Sequence, residues 1–178
     1  MTNGLVVQTP TTINVSGTAT IEANGSVSFS AITLLRLNGV FTADYDNYMI
    51  TWSGTSSGNT NLGLRFSKAG SDDASGTYWR RYVTASGTST YVYDGTYSQM
   101  YLFGSGGTWV NGQTAYIFRP YVNATSAVIS QGVYDGGATY YADLNGLHLV
   151  VDQFDGFSIA PGAGTNVTGS ITVFGFNQ

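Results

Sequence analysis

Apolar and polar residues alternate along most of this chain with a period of two. Ser26-Val27-Ser28-Phe29-Ser30 is a clear case, and Leu62-Gly63-Leu64-Arg65-Phe66 is another. Successive side chains of an extended strand point to opposite faces, so this pattern predicts strands with one apolar face. Strand signals run from Thr18 onward. Ala19–Glu22 leads into Asn24-Gly25, a hairpin turn pair, and Ile32–Leu37 ends at Asn38-Gly39. Tyr48–Trp52 follows. Gly/Ser/Thr/Asn loops such as Ser53–Asn61 and Lys68–Gly76 then separate Leu62–Phe66, Thr77–Val83, Tyr91–Tyr93, Gln99–Phe103, Thr114–Val122, Ala127–Tyr134, Thr139–Ala142, Leu147–Val151, Phe154–Ile159 and Gly169–Phe176. No stretch carries a 3.6-residue apolar period with a capped start, so no helix is predicted. Many short strands with turn signals between them, and no internal repeat, predict an all-β sandwich or barrel.

The chain is organised around Gly39–Trp52. One strand ends at Gly39, the Asp44-Tyr45-Asp46-Asn47 cluster turns the chain, and a new strand starts at Tyr48. Tyr48, Ile50 and Trp52 share one face, with Met49 and Thr51 on the other. Phe41, Tyr48, Ile50 and Trp52 are expected in the core near Ile171 and Val173. The stretch is read as the corner of a sandwich whose other sheet is closed by Ser170–Phe176. Residues 1–20 differ: isolated apolar residues, Pro10 and no aromatic. They are read as an extended arm, with Leu5, Val6, Val7, Ile13 and Val15 as its contact residues, able to donate a strand to a neighbour.

Composition changes the picture in one respect. Hydrophobic residues make up 42% of the 178, which is ordinary, but charged residues only 9%, against about 25% in a typical soluble domain. The surface must be largely Ser, Thr, Asn and Gly. Few long side chains need ordering on contact, which favours packing against other protein. Six basic residues against ten acidic ones give a net charge of −4, with no basic patch for nucleic acid. Cysteine is absent, so disulfide and thiolate chemistry is excluded. No apolar run approaches the roughly 18 residues of a spanning helix. The opening Met1-Thr2-Asn3-Gly4 lacks the features of a signal peptide, which points to assembly in a cytoplasm and export within a larger particle. In that setting the sequons at Asn14, Asn24, Asn123 and Asn166 carry no weight.

Candidate chemistry is sparse. His148 is the one histidine. Alternation sets it opposite Leu147 and Leu149, facing solvent or an interface, where a lone histidine is structural. One histidine without cysteine leaves no zinc set of the usual kinds. Gly54-Thr55-Ser56-Ser57-Gly58 matches G-x-S-x-G but is followed by a strand rather than the helix a nucleophile elbow needs. Glu22 is the one glutamate, and the pairs Asp44/Asp46, Asp72/Asp73 and Asp152/Asp155 fall in turns, where Asp bonds its own backbone. Turn chemistry also accounts for Asp44–Asn47 and Asp135-Gly136-Gly137 better than calcium does. No catalytic residue, cofactor or metal ligand is assigned. Aromatics crowd residues 78–109, and exposed Tyr and Trp anchor protein interfaces or stack on sugars. Tyr78, Trp79, Tyr82, Tyr93 and Trp109 are the candidate contact residues.

The run Ser26-Val27-Ser28-Phe29, Gly39-Val40-Phe41, Tyr45-Asp46-Asn47-Tyr48 and Leu62–Phe66 resembles a β-sandwich module of tailed-bacteriophage virion proteins. Phe154–Ile159 and Gly169–Phe176 resemble that module's last two strands. The resemblance spans about residues 26–178. It implies a jelly roll, often trimeric, at tail-fibre tips or on capsids as a decoration (cement) protein, with no catalytic residue to carry over. The expected organisation is therefore an N-terminal arm, 1–20, and an antiparallel jelly-roll β-sandwich, 21–178. The expected protein is a non-enzymatic homotrimer in the virion, bound to the major capsid protein or another virion protein, with no nucleic-acid or membrane partner. Only about 20 residues precede the module, whereas fibre proteins carry a long shaft, which favours capsid decoration. The alternative is a fibre tip that recognises host surface glycans.

Overall fold

The computed structural model describes residues 4–86, 89–105, 111–135 and 139–177. The described residues form an all-β chain of fourteen strands: β1 (Val6–Val7), β2 (Thr12–Ile21), β3 (Val27–Asn38), β4 (Asn47–Ser56), β5 (Thr60–Lys68), β6 (Ser71–Asp72), β7 (Tyr78–Ser86), β8 (Ser89–Tyr97), β9 (Met100–Ser105), β10 (Asn111–Phe118), β11 (Ala124–Asp135), β12 (Thr139–Asp152), β13 (Gly156–Ala160) and β14 (Val167–Phe176). They make one sheet in the order β6-β5-β13-β3-β14-β4-β10-β11-β12-β7-β8, with β1 on β14, β2 on β3 and β9 on β5. Every pairing is antiparallel, from the short β1–β14 contact to the long β11–β12 ladder.

The sheet curls at β3. One edge of β3 runs along β2, while the other is shared: Val27–Ile32 pairs with β14 and Leu35–Asn38 with β13. A bulge marks the hand-over. Ala31 has φ 52° and Gly17, across the ladder, has φ 114°, and the β2–β3 register shifts between Ser16 and Thr18. Bulges bend a strand and raise its twist. The alternation predicts two strands, Ser26–Ser30 and Ile32–Leu37. The structure has one, because Ala31 breaks the parity without ending the ladder. The curl brings β9 over β10, β11 and β12. Gly17 is required here: a Cβ would lie 2.8 Å from the Ser30 and Ala31 carbonyl oxygens. Gly17→Val is expected to cost about 2 kcal/mol through that clash and the strained φ, read as a lower urea midpoint with an unchanged m-value.

Phe41, Tyr48, Ile50 and Trp52 are all buried, and Ile50 and Trp52 pair with Val173 and Ile171. Tyr48 packs 4.7 Å from Phe41. Its hydroxyl accepts from the Thr42 N–H and donates to the Thr42 carbonyl, at 2.7 and 2.9 Å. The turn between them is tied by Asn177, which accepts from the Asp46 N–H and donates to the Asp44 carbonyl. One expectation is corrected: the C-terminal strand β14 does not close a facing sheet but is the hydrogen-bonded neighbour of β4 along Asn47–Ser56. That pairing also carries β4 to Ser56, past the loop start predicted at Ser53. Loop-like Gly and Ser composition is overridden where a neighbouring strand supplies ladder partners.

At the N-terminus the chain is extended. β1 pairs with β14, and β2 with β3 over Thr12–Ile21. Ile13 and Val15 pack on the core, Val6 and Val7 are half-buried, and Leu5 is exposed. The part before Thr12 is tied through β1 on β14, the Gln8 and Thr11 N–H groups and the buried Pro10.

Candidate functional site

Two surfaces and one buried cluster concentrate chemistry. The larger surface is the outer face of β14, β4, β10, β11, β12 and β7. Its registers align apolar side chains in rows: Phe174–Met49–Tyr116–Ile129, and beside it Phe118–Ala127–Leu147–Trp79. Leu149 and Val151 extend the second row along β12. Trp79, Tyr116, Ile129, Leu147, Leu149 and Val151 are exposed, Val151 at 60%. Six strands span about 24 Å between the outermost axes at 4.8 Å each. Among the described residues the charged groups on this face are Asp143 and the Arg81–Asp94 pair at its rim, 3.5 Å apart. Contiguous exposed apolar rows of this extent make this face the candidate contact surface.

The buried cluster surrounds His148, and here the structure corrects the sequence reading. His148 points inward and is fully buried, while Leu147 and Leu149 face out. Its ring sits among Tyr78, Phe154 and Phe66, at 4.2, 4.9 and 5.2 Å between centroids. Its Nε2 is 2.6 Å from Asp73 Oδ2. Asp73 Oδ1 accepts from the Ser75 N–H at 2.9 Å. Burial pushes the His148 pKa below its usual value, against the pull of Asp73. Burial pushes the Asp73 carboxyl upward, but the bonds from Ser75 and His148 outweigh it and its pKa is lowered. The state that fits is neutral His148 donating from Nε2 to ionised Asp73. Its Nδ1 is buried with no hydrogen-bond partner, so no nucleophile stands where a Ser-His-Asp relay needs one. The pair fastens the segment between β6 and β7 onto β12.

Tyr78 is corrected likewise: a candidate exposed contact, it is fully buried. Its hydroxyl accepts from the Phe66 N–H and donates to the Asp73 carbonyl, at 2.8 and 3.0 Å. Trp79 and Tyr93 are exposed and Tyr82 is half-buried. Trp79 lies on the outer face, Tyr82 and Tyr93 on the inner, so these three do not form one site. Trp109 lies outside the described residues. The other Asp pairs serve structure: Asp72 binds Arg36 Nε at 2.9 Å, and Asp152 binds Lys68 Nζ at 2.5 Å. Among the described residues no group of three His, Asp or Glu side chains is placed to hold a metal ion.

Sequence reasoning missed Arg80. It is buried, and its guanidinium lies between the Tyr97 and Tyr101 rings, 3.6 and 3.4 Å from their centroids. Nη1 donates to the Gln99 carbonyl at 2.8 Å, and Arg65 Nε holds the adjacent Ser98 carbonyl at 3.0 Å. Two arginines therefore clamp the turn between β8 and β9. Tyr97, directly before that turn, and Tyr101, two residues after it, were the available signal. At the Asp44–Asn47 corner an open cleft of about 370 Å³ is lined by Thr42, Tyr45, Asp46, Tyr121 and Gln153 among others. Asp46 is the one charged residue among those lining it, beside the amides of Asn123 and Gln153. In comparison with known proteins, the chain matches no family model and no curated protein.

Proposed function

We propose that this chain is a non-enzymatic structural protein of a tailed-bacteriophage particle. In this reading the curled sheet is a jelly-roll sandwich, and copies associate through the outer face of β4, β10, β11, β12 and β7 into a trimer that decorates the capsid. The observation that carries the proposal is that face itself. It is broad and sparsely charged, and carries two apolar rows with Ile129 and Leu147 near its centre beside the Thr172–Thr51–Thr114–Gln131 row. A standard interface buries about 1,600 Å² in total, and repetition by symmetry makes individually modest contacts strong. The low charge content of the chain and the resemblance over residues 26–178 support the same reading. The exposed Leu5 and the segment before Thr12 are then the attachment to neighbouring shell subunits.

The copy number on purified particles tests the assignment. A decoration protein is expected in proportion to the capsid subunits. A stoichiometry matching a single tail structure would overturn it.

A further inference from the structure

The inner face of the β7–β8 hairpin carries a second surface with different chemistry. Tyr82 and Tyr93 are cross-strand partners whose rings stack at 4.6 Å and 16°. Tyr91 is the next same-face position along β8, about 6.8 Å further at the usual strand rise. Tyr91 and Tyr93 are 49% and 45% exposed. Tyr101 meets Tyr82 edge-on at 5.9 Å. Tyr82 and Tyr101 are held from beneath, because Arg80 lies between Tyr97 and Tyr101, 5.9 Å from the Tyr82 ring, and is itself fixed to Gln99. Gly95 makes room for this arrangement. It faces Arg80 across the ladder, and a Cβ there would come within 3.2 Å of the Tyr97 ring.

We infer that this tyrosine platform binds neutral pyranose oligosaccharides, with Tyr91 and Tyr93 as the stacking rings. Three features select that ligand class. Flat, partly exposed aromatic rings take the C–H faces of sugars, and two successive same-face positions seat neighbouring units. Among the described residues the platform offers no charge by contact: Arg80 is buried, and Asp94 is on the opposite face with Arg81. The ligand is therefore neutral rather than a uronic or sialic acid. The polar groups around the rings are hydroxyls, those of the tyrosines and of Thr84, which pairs with Tyr91. The aliphatic pair of the hairpin, Val83 and Val92, sits on the other face. Tyr93, already stacked on Tyr82, loses little side-chain entropy on contact.

Calorimetric titration of the full chain with hexamers of glucose, mannose, galactose and N-acetylglucosamine tests this. At least one is expected to bind. Tyr93→Ala is expected to weaken that binding at least about tenfold by loss of ring stacking, and Tyr91→Ala to weaken it by less. Trp79→Ala, on the opposite face, is expected to leave it unchanged. Both tyrosines sit on an edge strand, and equal urea midpoints check that the variants fold. Binding by none of the four, or binding unchanged in the Tyr91→Ala/Tyr93→Ala double variant, would overturn the inference. So would dissociation of a protein assembly by that double variant with no sugar bound, which would make the platform a protein contact. The assembly reading rests on the outer face and does not depend on this result.

Discussion

Replacing His148 by alanine is expected to lower stability by about 3 kcal/mol, measured by urea unfolding at pH 7. The substitution removes a ring packed against Tyr78, Phe154 and Phe66 and leaves a cavity among them. It also removes the donor to Asp73, a charge-assisted bond. The same pair makes the fold acid-sensitive in two steps. The histidine pKa is depressed in the folded chain. As pH falls below about 6.5 the unfolded chain takes up a proton that the folded chain refuses, so stability falls. The Asp73 pKa is depressed as well. Its contribution is present above the ordinary carboxylate value and is lost as pH falls through and below that range. His148→Gln retains an amide donor and does not titrate. It is expected to flatten the decline in urea midpoint between about pH 7 and 5, while the decline at lower pH persists. An undiminished slope in that variant would show that the acid sensitivity arises elsewhere.

His148 also shows how far the pattern of the sequence reaches. Strand positions, the hairpin at Asn24-Gly25 and the core role of Phe41, Tyr48, Ile50 and Trp52 were legible, because alternation and turn chemistry are local. Which face of β12 turns inward was not. Leu147, Leu149 and Val151 are more apolar than His148, and on local hydropathy they belong inside. The inward choice is made by Asp73, 75 residues away, and by an aromatic pocket assembled from β5, β7 and the segment before β13. Tyr78 was misplaced because its hydroxyl finds partners inside the fold, the Phe66 and Asp73 backbones, that alternation within its own strand does not show. Ala31 hid the continuity of β3, because a single left-handed residue shifts parity without any compositional mark. Arg80 was illegible because a buried arginine is justified only by its partners, here two tyrosines and a carbonyl brought in from the β8–β9 turn.

The Ile129→Lys/Leu147→Lys double variant is expected to separate the copies while leaving each folded. Both residues are exposed on the outer face of paired strands, so in the isolated chain each change is a surface substitution, within about 0.5 kcal/mol. In an assembly they would be buried. Each loses about 2 kcal/mol of apolar burial, and each brings a cation into a face with little to pair it. Together that weakens association by about a thousandfold. Sedimentation equilibrium of the two proteins tests the central claim most directly. The unmodified chain is expected to sediment as a trimer and the double variant as a folded monomer. A monomeric unmodified chain, or a double variant that assembles as the unmodified chain does, would contradict the account.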